Sequence, residues 1–378
     1  MKFQKQNIWP IFLITFSLFL NSCSTNHERE RREIQNPEKT QDLIETFDIA
    51  KEQAEEFKEE PIQKEDLKKV NKLPEPSPQP VKATSKKEKT KEVLKGKPAK
   101  AVPPVPTPTP VPPAVPVELV YPAGYPEEYK AYDLKSKSVW EKFNPVFYAG
   151  EQSVMAISYL GVTAGYITII SKGLATVKDK PTYHYYARFK SSDAYRYFYW
   201  LDDYIESYVE KDTFLPLKYQ LIQREKKQNV DDLQLFDFDK MMTYHWFKKV
   251  KDGQTKKEKI EKPLPRYAQD SFSALQFVRG LPLNKGDVYE IPVVTRGKIW
   301  QLKVEVLGLD TTSVNGKDMR AIKIKAETSF PGVLKKSGDI LFWYGADTDR
   351  RLLKFQAKIK IGSIFGEIVE YKPGTLIK

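Results

Sequence analysis

Cysteine is the scarcest reactive residue in this chain: among 378 residues there is one, Cys23. A single thiol excludes an internal disulfide and a thiolate-rich metal centre, so any folded part must stand on its own packing. Histidine is nearly as rare. His27, His184 and His245 are the only three, with no His-x-His or His-Glu-x-x-His spacing, which removes the usual zinc signatures. No Gly-x-Ser-x-Gly elbow and no phosphate-binding Gly loop is present, so the common hydrolase and nucleotide-binding frameworks are missing as well. Long apolar runs are also lacking. The run Ile8 to Leu20 covers 13 residues, short of the roughly 20 needed to span a bilayer. The expectation from these absences is no enzyme, no metal and no cofactor.

What is there begins with an address. Lys2 and Lys5 precede the apolar run, and a small residue, Ser22, precedes Cys23, the order of a secretory signal. Leu20-Asn21-Ser22-Cys23 resembles the lipobox of bacterial lipoproteins, with Asn21 larger than that pattern usually holds. The resemblance implies that residues 1–22 are removed and that Cys23 becomes a lipidated N-terminus, palmitate among its acyl chains. Ser24 stands where an Asp would resemble an inner-membrane retention signal. That implies the outer membrane of a Gram-negative cell, with the rest of the chain in the periplasm; the sequence leaves surface exposure open.

Residues 23–118 cannot build a core. From Ser24 to Glu118, 18 Lys and Arg balance 18 Asp and Glu. Leu43, Phe47, Ala50, Ala54 and Phe57 repeat at helical spacing before Pro61, which is compatible with a short helix within 40–60 or with a charged disordered segment. Lys82 to Lys100 is lysine-rich, and Ala101 to Val117 holds eight prolines, which favour extended polyproline II. The expectation is a disordered tether. Its lysines suit anionic wall polymer or headgroups, or serve solubility alone.

Residues 119–378 carry +10 of the total charge of +12. An exported basic domain suits anionic envelope material rather than nucleic acid, or simply presents a solvated basic surface with no partner. Short runs rich in Tyr, Phe, Val and Ile alternate with turn residues, as in Tyr183 to Lys190, where Tyr183, Tyr185, Ala187 and Phe189 share one face. The pattern predicts a mainly β domain: a curved antiparallel sheet or partly closed β-barrel with one or two short helices. Asp270 to Leu281 is the clear helix, with Asp270 or Ser271 as cap, Gly280 as stop and an inward face of Phe272, Leu275, Gln276 and Arg279. An internal echo links Asp212 to Gln220 with Asp347 to Gln356, where an acidic turn leads to Leu-Lys-aromatic-Gln. Gly150-Glu151 and Gly286-Asp287 precede strands in the same way. Either the sheet has two related halves or two hairpins coincide by chance.

These features resemble domain-of-unknown-function family 3108, found in exported bacterial proteins. The resemblance runs from about Asn144 to Tyr371 and rests on Tyr159 to Gly165, Asp270 to Gly286, Val304 to Gly316, Ile340 to Tyr344 and Asp347 to Arg351. It implies a curved antiparallel sheet and brings no catalytic residues. A looser likeness is to periplasmic lipoprotein carriers, where a sheet and a helix enclose an apolar cavity.

Candidate site residues are few. Cys23 is the lipidation site. Arg279 either pairs with Asp270, Asp287 or Asp347 to hold the helix, or faces a cavity and meets an anionic headgroup. Tyr197, Tyr199 and Trp200 belong to an aromatic cluster too dense for one face, which packs the core or lines a groove. His184 and His245 read as partly exposed sheet residues. The functional expectation is a non-catalytic binding or carrier module for an amphipathic envelope molecule such as a lipid or wall polymer, anchored to the membrane through Cys23. The alternative is a scaffold or adaptor that binds an envelope protein or the wall. A histidine near Ser271 would favour a hydrolase.

Overall fold

A computed structural model describes residues 41–62, 120–329, 339–359 and 361–377; the expectations for Cys23, the lysine run and the proline run lie outside them. In chain order, helix α1 (Lys51–Glu56) and strand β1 (Glu60–Pro61) come first, then α2 (Glu127–Trp140) and β2 (Tyr148–Ala149). Next is a meander of β3 (Gln152–Tyr159), β4 (Val162–Val177), β5 (Lys180–Ser191), α3 (Asp193–Arg196), β6 (Asp202–Glu210), β7 (Pro216–Glu225), β8 (Gln228–Asp237), β9 (Met242–Lys251) and β10 (Gln254–Pro263). After β11 (Gln269–Asp270) and α4 (Ser273–Gly280) a second meander follows: β12 (Val288–Thr295), β13 (Lys298–Val314), β14 (Lys317–Ser329), β15 (Asp339–Gly345), β16 (Leu352–Lys358) and β17 (Ser363–Lys372). β18 (Thr375–Leu376) pairs with β2.

The two meanders join edge to edge through β17 and β3, and the sheet runs from β10 at one end to β11 at the other. Its named pairings are antiparallel except β11 with β12. Among the described residues, no strand pairing closes it into a barrel. Side chains bridge the gap instead: Arg296, in the β12–β13 turn, donates to Asp232 on β8 at 2.9 Å, and Gly297 lies so close to Ile260 on β10 that a Cβ there would press on it. The expected curved, mainly β architecture with short helices is what the chain forms.

Two-residue hairpins set the registers. Leu160-Gly161, Asp252-Gly253, Arg296-Gly297 and Asn315-Gly316 all hold positive φ at both positions, the backbone that matches strand twist. The meanders also correspond. Gly150-Glu151 precedes β3 and Gly286-Asp287 precedes β12. The loop with Asp212 leads into β7, fifth from β3; the loop with Asp347 leads into β16, fifth from β12. Each loop closes with a corresponding backbone bond, Glu210 N to Leu215 O and Gly345 N to Arg351 O, both 2.8 Å. The echo therefore falls at equivalent places of two half-sheets.

The main core fills the concave side, where Tyr185, Tyr219, Phe236, Ile291 and Val304 meet α4. Helix α4 is buried on more than the predicted face: Ala274, Phe277 and Val278 are buried along with Phe272 and Arg279, while Leu275 and Gln276 are half-buried. Asp270 caps it, its Oδ1 accepting from Phe272 N and Ser273 N at 2.7 Å each.

The expected tether is not one free segment. Residues 41–62 lie on the convex side of the first meander, where Leu43 and Phe57, both fully buried, pack with Tyr208, Leu217, Leu233 and Trp246. Only Lys51–Glu56 is helical; β1 adds to β4. The alternation of apolar residues marks contacts with the sheet, made along a bent strap rather than one helix. Residues 63–119 connect this strap to the rest of the body.

Candidate functional site

Concave strands and helix α4 enclose a slot. Met155, Ile167 and Phe189 line it from β3, β4 and β5, and Phe342 and Phe355 from β15 and β16; Phe272 and Leu275 form the helix side. The Phe355 ring lies flat on β17 because residue 366 is glycine, where a Cβ would collide with it. The slot is almost wholly apolar, with Ser271 the one polar residue on it. It is small: about 20 Å³ by the measure in which one water needs roughly 10–15 Å³. An apolar space of this size stays dry. An acyl chain would enter only if Phe272 and Leu275 turned aside.

The helix over the slot is held by charge at both ends. At its start, Asp270 also accepts from Ser207 Oγ at 2.5 Å; burial pushes this carboxyl up and the bonds it accepts oppose that. At its end, Arg279 forms a two-pronged pair with Glu151 at 2.6 and 2.8 Å and donates to the Asp349 carbonyl at 2.7 Å. Tyr371 donates to the same glutamate at 3.0 Å. Glu151, not Asp270, Asp287 or Asp347, is the partner. It sits in the Gly-acid pair ahead of β3, which the sequence marks only as the start of a strand.

The aromatic cluster divides. Tyr195 and Tyr208 are buried, and Tyr199 donates to Glu225 Oε2 at 2.5 Å. Trp200 is half-buried, whereas Tyr197 is 85% exposed and Phe198 47%. None of Tyr197, Tyr199 and Trp200 borders the slot.

Both sheet histidines hold carboxylates; His184 is partly exposed, as expected, whereas His245 is more buried than expected. His184 bonds Glu206 at 3.0 Å and stacks on Tyr208. His245, fully buried, bonds Asp232 at 2.9 Å, and Asp232 also takes the Arg296 guanidinium. Burial alone would raise the Asp232 carboxyl, but the interactions with His245 and the Arg296 guanidinium keep it below its ordinary value. Asp270, beside Ser271, is committed to the cap. Among the described residues no hydrogen bond joins Ser271 to a histidine, and no three His, Cys, Asp or Glu side chains gather as metal ligands.

A family model described as a protein of unknown function, DUF3108, matches residues 154–369. That stretch is more than half of the chain and runs from within β3 to within β17. The chain belongs to this family. The DUF3108 region thus comprises both meanders and α4, with Glu151 and the strap outside it. No curated protein matches the chain. Among solved structures, a β-barrel-like protein of the DUF1849 family from Brucella abortus is similar at 9% identity and a TM-score of 0.40, covering 60% of this chain and 99% of that one. LprF from Mycobacterium bovis is similar at 10% identity and a TM-score of 0.20, covering 67% and 97%. Neither likeness is strong enough to transfer a property. No helix among the described residues is long and apolar enough to cross a membrane.

Proposed function

We propose that this DUF3108 protein is an envelope lipoprotein whose β domain is a non-catalytic binding or carrier module for an amphipathic molecule. One observation carries the reading: a dry apolar slot lies between the concave sheet and a helix that is pinned at its two ends. Leu275 and Gln276, near the middle of that helix, are its half-buried positions. Turning the Leu275 side chain and the Phe272 ring aside widens the slot without breaking either pin. In this reading Arg279 positions the helix and does not touch the ligand. The lipobox-like Leu20-Asn21-Ser22-Cys23 supports lipidation at Cys23, and Ser24 supports the outer membrane with a periplasmic domain.

Native mass spectrometry of the chain purified from an envelope, followed by solvent extraction, tests the reading. A bound lipid is expected. Leu275→Trp, which fills the slot, is expected to remove it while leaving the thermal midpoint within a few degrees. An apo mass in the unaltered protein would overturn the carrier reading in favour of a scaffold. Anchoring is checked separately: Cys23→Ser is expected to leave the membrane fraction and to lose the mass of its acyl chains.

A further inference from the structure

One end of the sheet gathers exposed apolar side chains on neighbouring connections. Five of the eleven exposed large apolar side chains among the described residues are at this end: Leu160, Val162, Tyr197, Phe198 and Ile361. They come from three connections: the β3–β4 turn, the β5–β6 loop carrying α3, and the β16–β17 turn. Hydrogen bonds tie these connections together. Tyr159 Oη donates to Ile361 O at 2.8 Å, Ser192 N to Ala164 O at 3.0 Å, and Ser192 Oγ to Thr163 O at 3.2 Å. At the opposite end the corresponding turns are Lys178-Asp179 and Asn315-Gly316.

The β3–β4 turn makes the contrast plain. Leu160 holds a φ of +49°, a conformation that Asn or Gly adopts at lower cost. It is also 53% exposed. Backbone and water both disfavour leucine at this position, so an apolar environment outside the protein accounts for it better than the isolated fold does.

Cations flank the apolar group. Lys226, in the β7–β8 turn, donates to the carbonyls of Tyr197 and Phe198 at 3.4 and 3.2 Å, so its charge sits beside the exposed rings. Lys227 adjoins it, and the next residue, Gln228, pairs with Lys251 across β8 and β9. Lys251 and Lys256 are exposed. Burial and then the charges of Lys251, Arg296 and Lys256 push the Lys249 ammonium below its ordinary value, which marks a crowded cationic field. Of the acids here, Glu225 is engaged by Tyr199 and Gln228, Asp193 by Arg196, Asp202 by Arg188 and Glu258 by Lys256; Asp252 faces solvent in its turn.

We infer that this end of the domain docks on an anionic bilayer, with Leu160, Val162, Tyr197, Phe198 and Ile361 entering the interface and Lys226, Lys227 and Lys251 meeting headgroup phosphates. Interfacial binding scales with buried apolar area plus attraction to anionic lipid, and tyrosine favours that boundary. Neither the slot nor a ligand within it is needed for this. The strands that line the slot are nonetheless the ones whose ends form the patch, so docking would set the slot beside the lipid.

The test uses a chain starting at Ser24, which keeps every described residue and removes the apolar run and Cys23, both able to bind lipid by themselves. Flotation with phosphatidylcholine vesicles, with and without phosphatidylglycerol, gives the readout. The chain is expected to float with the anionic vesicles and to be released by high salt. Joint replacement Tyr197→Ser, Phe198→Ser and Ile361→Ser is expected to weaken binding roughly tenfold or more, and Lys226→Glu with Lys227→Glu to abolish the preference for anionic lipid. Leu134→Ser, an exposed apolar site on α2, is expected to change nothing. All these sites are exposed, and an unchanged near-ultraviolet dichroism confirms the fold. The inference is overturned if the chain floats with neither vesicle, or if the triple variant floats as well as the parent. It is also overturned if the parent is a dimer in solution that the triple variant disperses, since the patch would then bind a second copy.

Discussion

Lys218 and Lys354 hold equivalent places in the two half-sheets and meet different fates. Each is the lysine of Leu-Lys-aromatic-Gln on the fifth strand of its meander. Each pairs in register with an aromatic on the fourth, Tyr208 or Trp343, and lies over its ring at 5.8 and 5.9 Å. Yet the Lys218 side chain is fully buried and that of Lys354 is 26% exposed. The strap makes the difference. Over the first half, residues 41–62 bring Leu43 and Phe57 as cover and Asp42 and Glu59 as counter-charges, both bonded to the Lys218 ammonium. Over the second half, Trp343 packs with Val314, Ala321, Leu353 and Ile368, the ammonium groups of Lys323 and Lys354 lie 5.0 and 5.9 Å from its ring, and its indole donates to Asp310. One scaffold hides an outer aromatic either under an added segment or among its own side chains, with lysines beside it. Only the first way buries a cation, and it does so because acids arrive with the segment.

The strongest way to break this contrast is to loosen the strap. Phe57→Ala removes a fully buried ring and is expected to cost about 3 kcal/mol, read as a lower denaturation midpoint and new protease cleavage within 41–62. An unchanged midpoint would mean that the strap is not part of the cooperative unit. Acid comes next. Under the strap, Glu206 accepts from Lys172 at 2.9 Å and from Gln220 at 2.6 Å, besides its bond with His184. Burial alone would raise this carboxyl; the hydrogen bond and charge of His184, with Lys172, outweigh it and hold the group at about 2. The folded value lies below the unfolded one, so its stabilisation is present above about pH 4.5 and is lost as pH falls towards 2. Up to about 3 kcal/mol is at stake. Glu206→Gln is expected to flatten the stability profile across that window. The second half, where Leu341 takes the equivalent place opposite Gln356, contributes no such dependence there.

Most strands and the central helix were legible because their chemistry is local: alternating Tyr and Phe in β5, and a cap-to-glycine frame around α4. The elements that escaped lack that chemistry. Helix α2 buries Asp133, Ser136 and Val139, a polar stripe that no hydrophobic period reveals; Asp133 is held there by Tyr125 Oη at 2.8 Å and Arg266 N at 2.7 Å. Strand β10 is an exposed, lysine-rich edge, whose composition blunts an edge and disguises the strand at once. The strap was visible as an apolar spacing but not as a contact, because its partners on β6, β7 and β8 are more than a hundred residues away. Arg279 was legible as an inward cation, whereas Glu151 was not, since only the sheet brings the two together. Of the exposed patch, the aromatic segment stood out, while the leucine turn looked like an ordinary hairpin.

The equivalent lysines offer the finest test. Lys218→Met leaves Asp42 and Glu59 facing each other beside apolar groups. Each retains about a fifth of its exposure, so water relieves part of the repulsion, and a cost of about 2 kcal/mol is expected rather than the 3–5 of a fully buried broken pair. Lys354→Met removes a half-exposed pair with Glu367 at 3.9 Å and keeps a flexible apolar stem over Trp343. It is expected to change stability by less than about 0.5 kcal/mol. Denaturant unfolding of the two variants side by side measures the difference directly. Equal costs would mean that the strap adds cover but no electrostatic support. A larger cost at 354 would make the lysine stems, not the strap, the more demanding solution to the same problem.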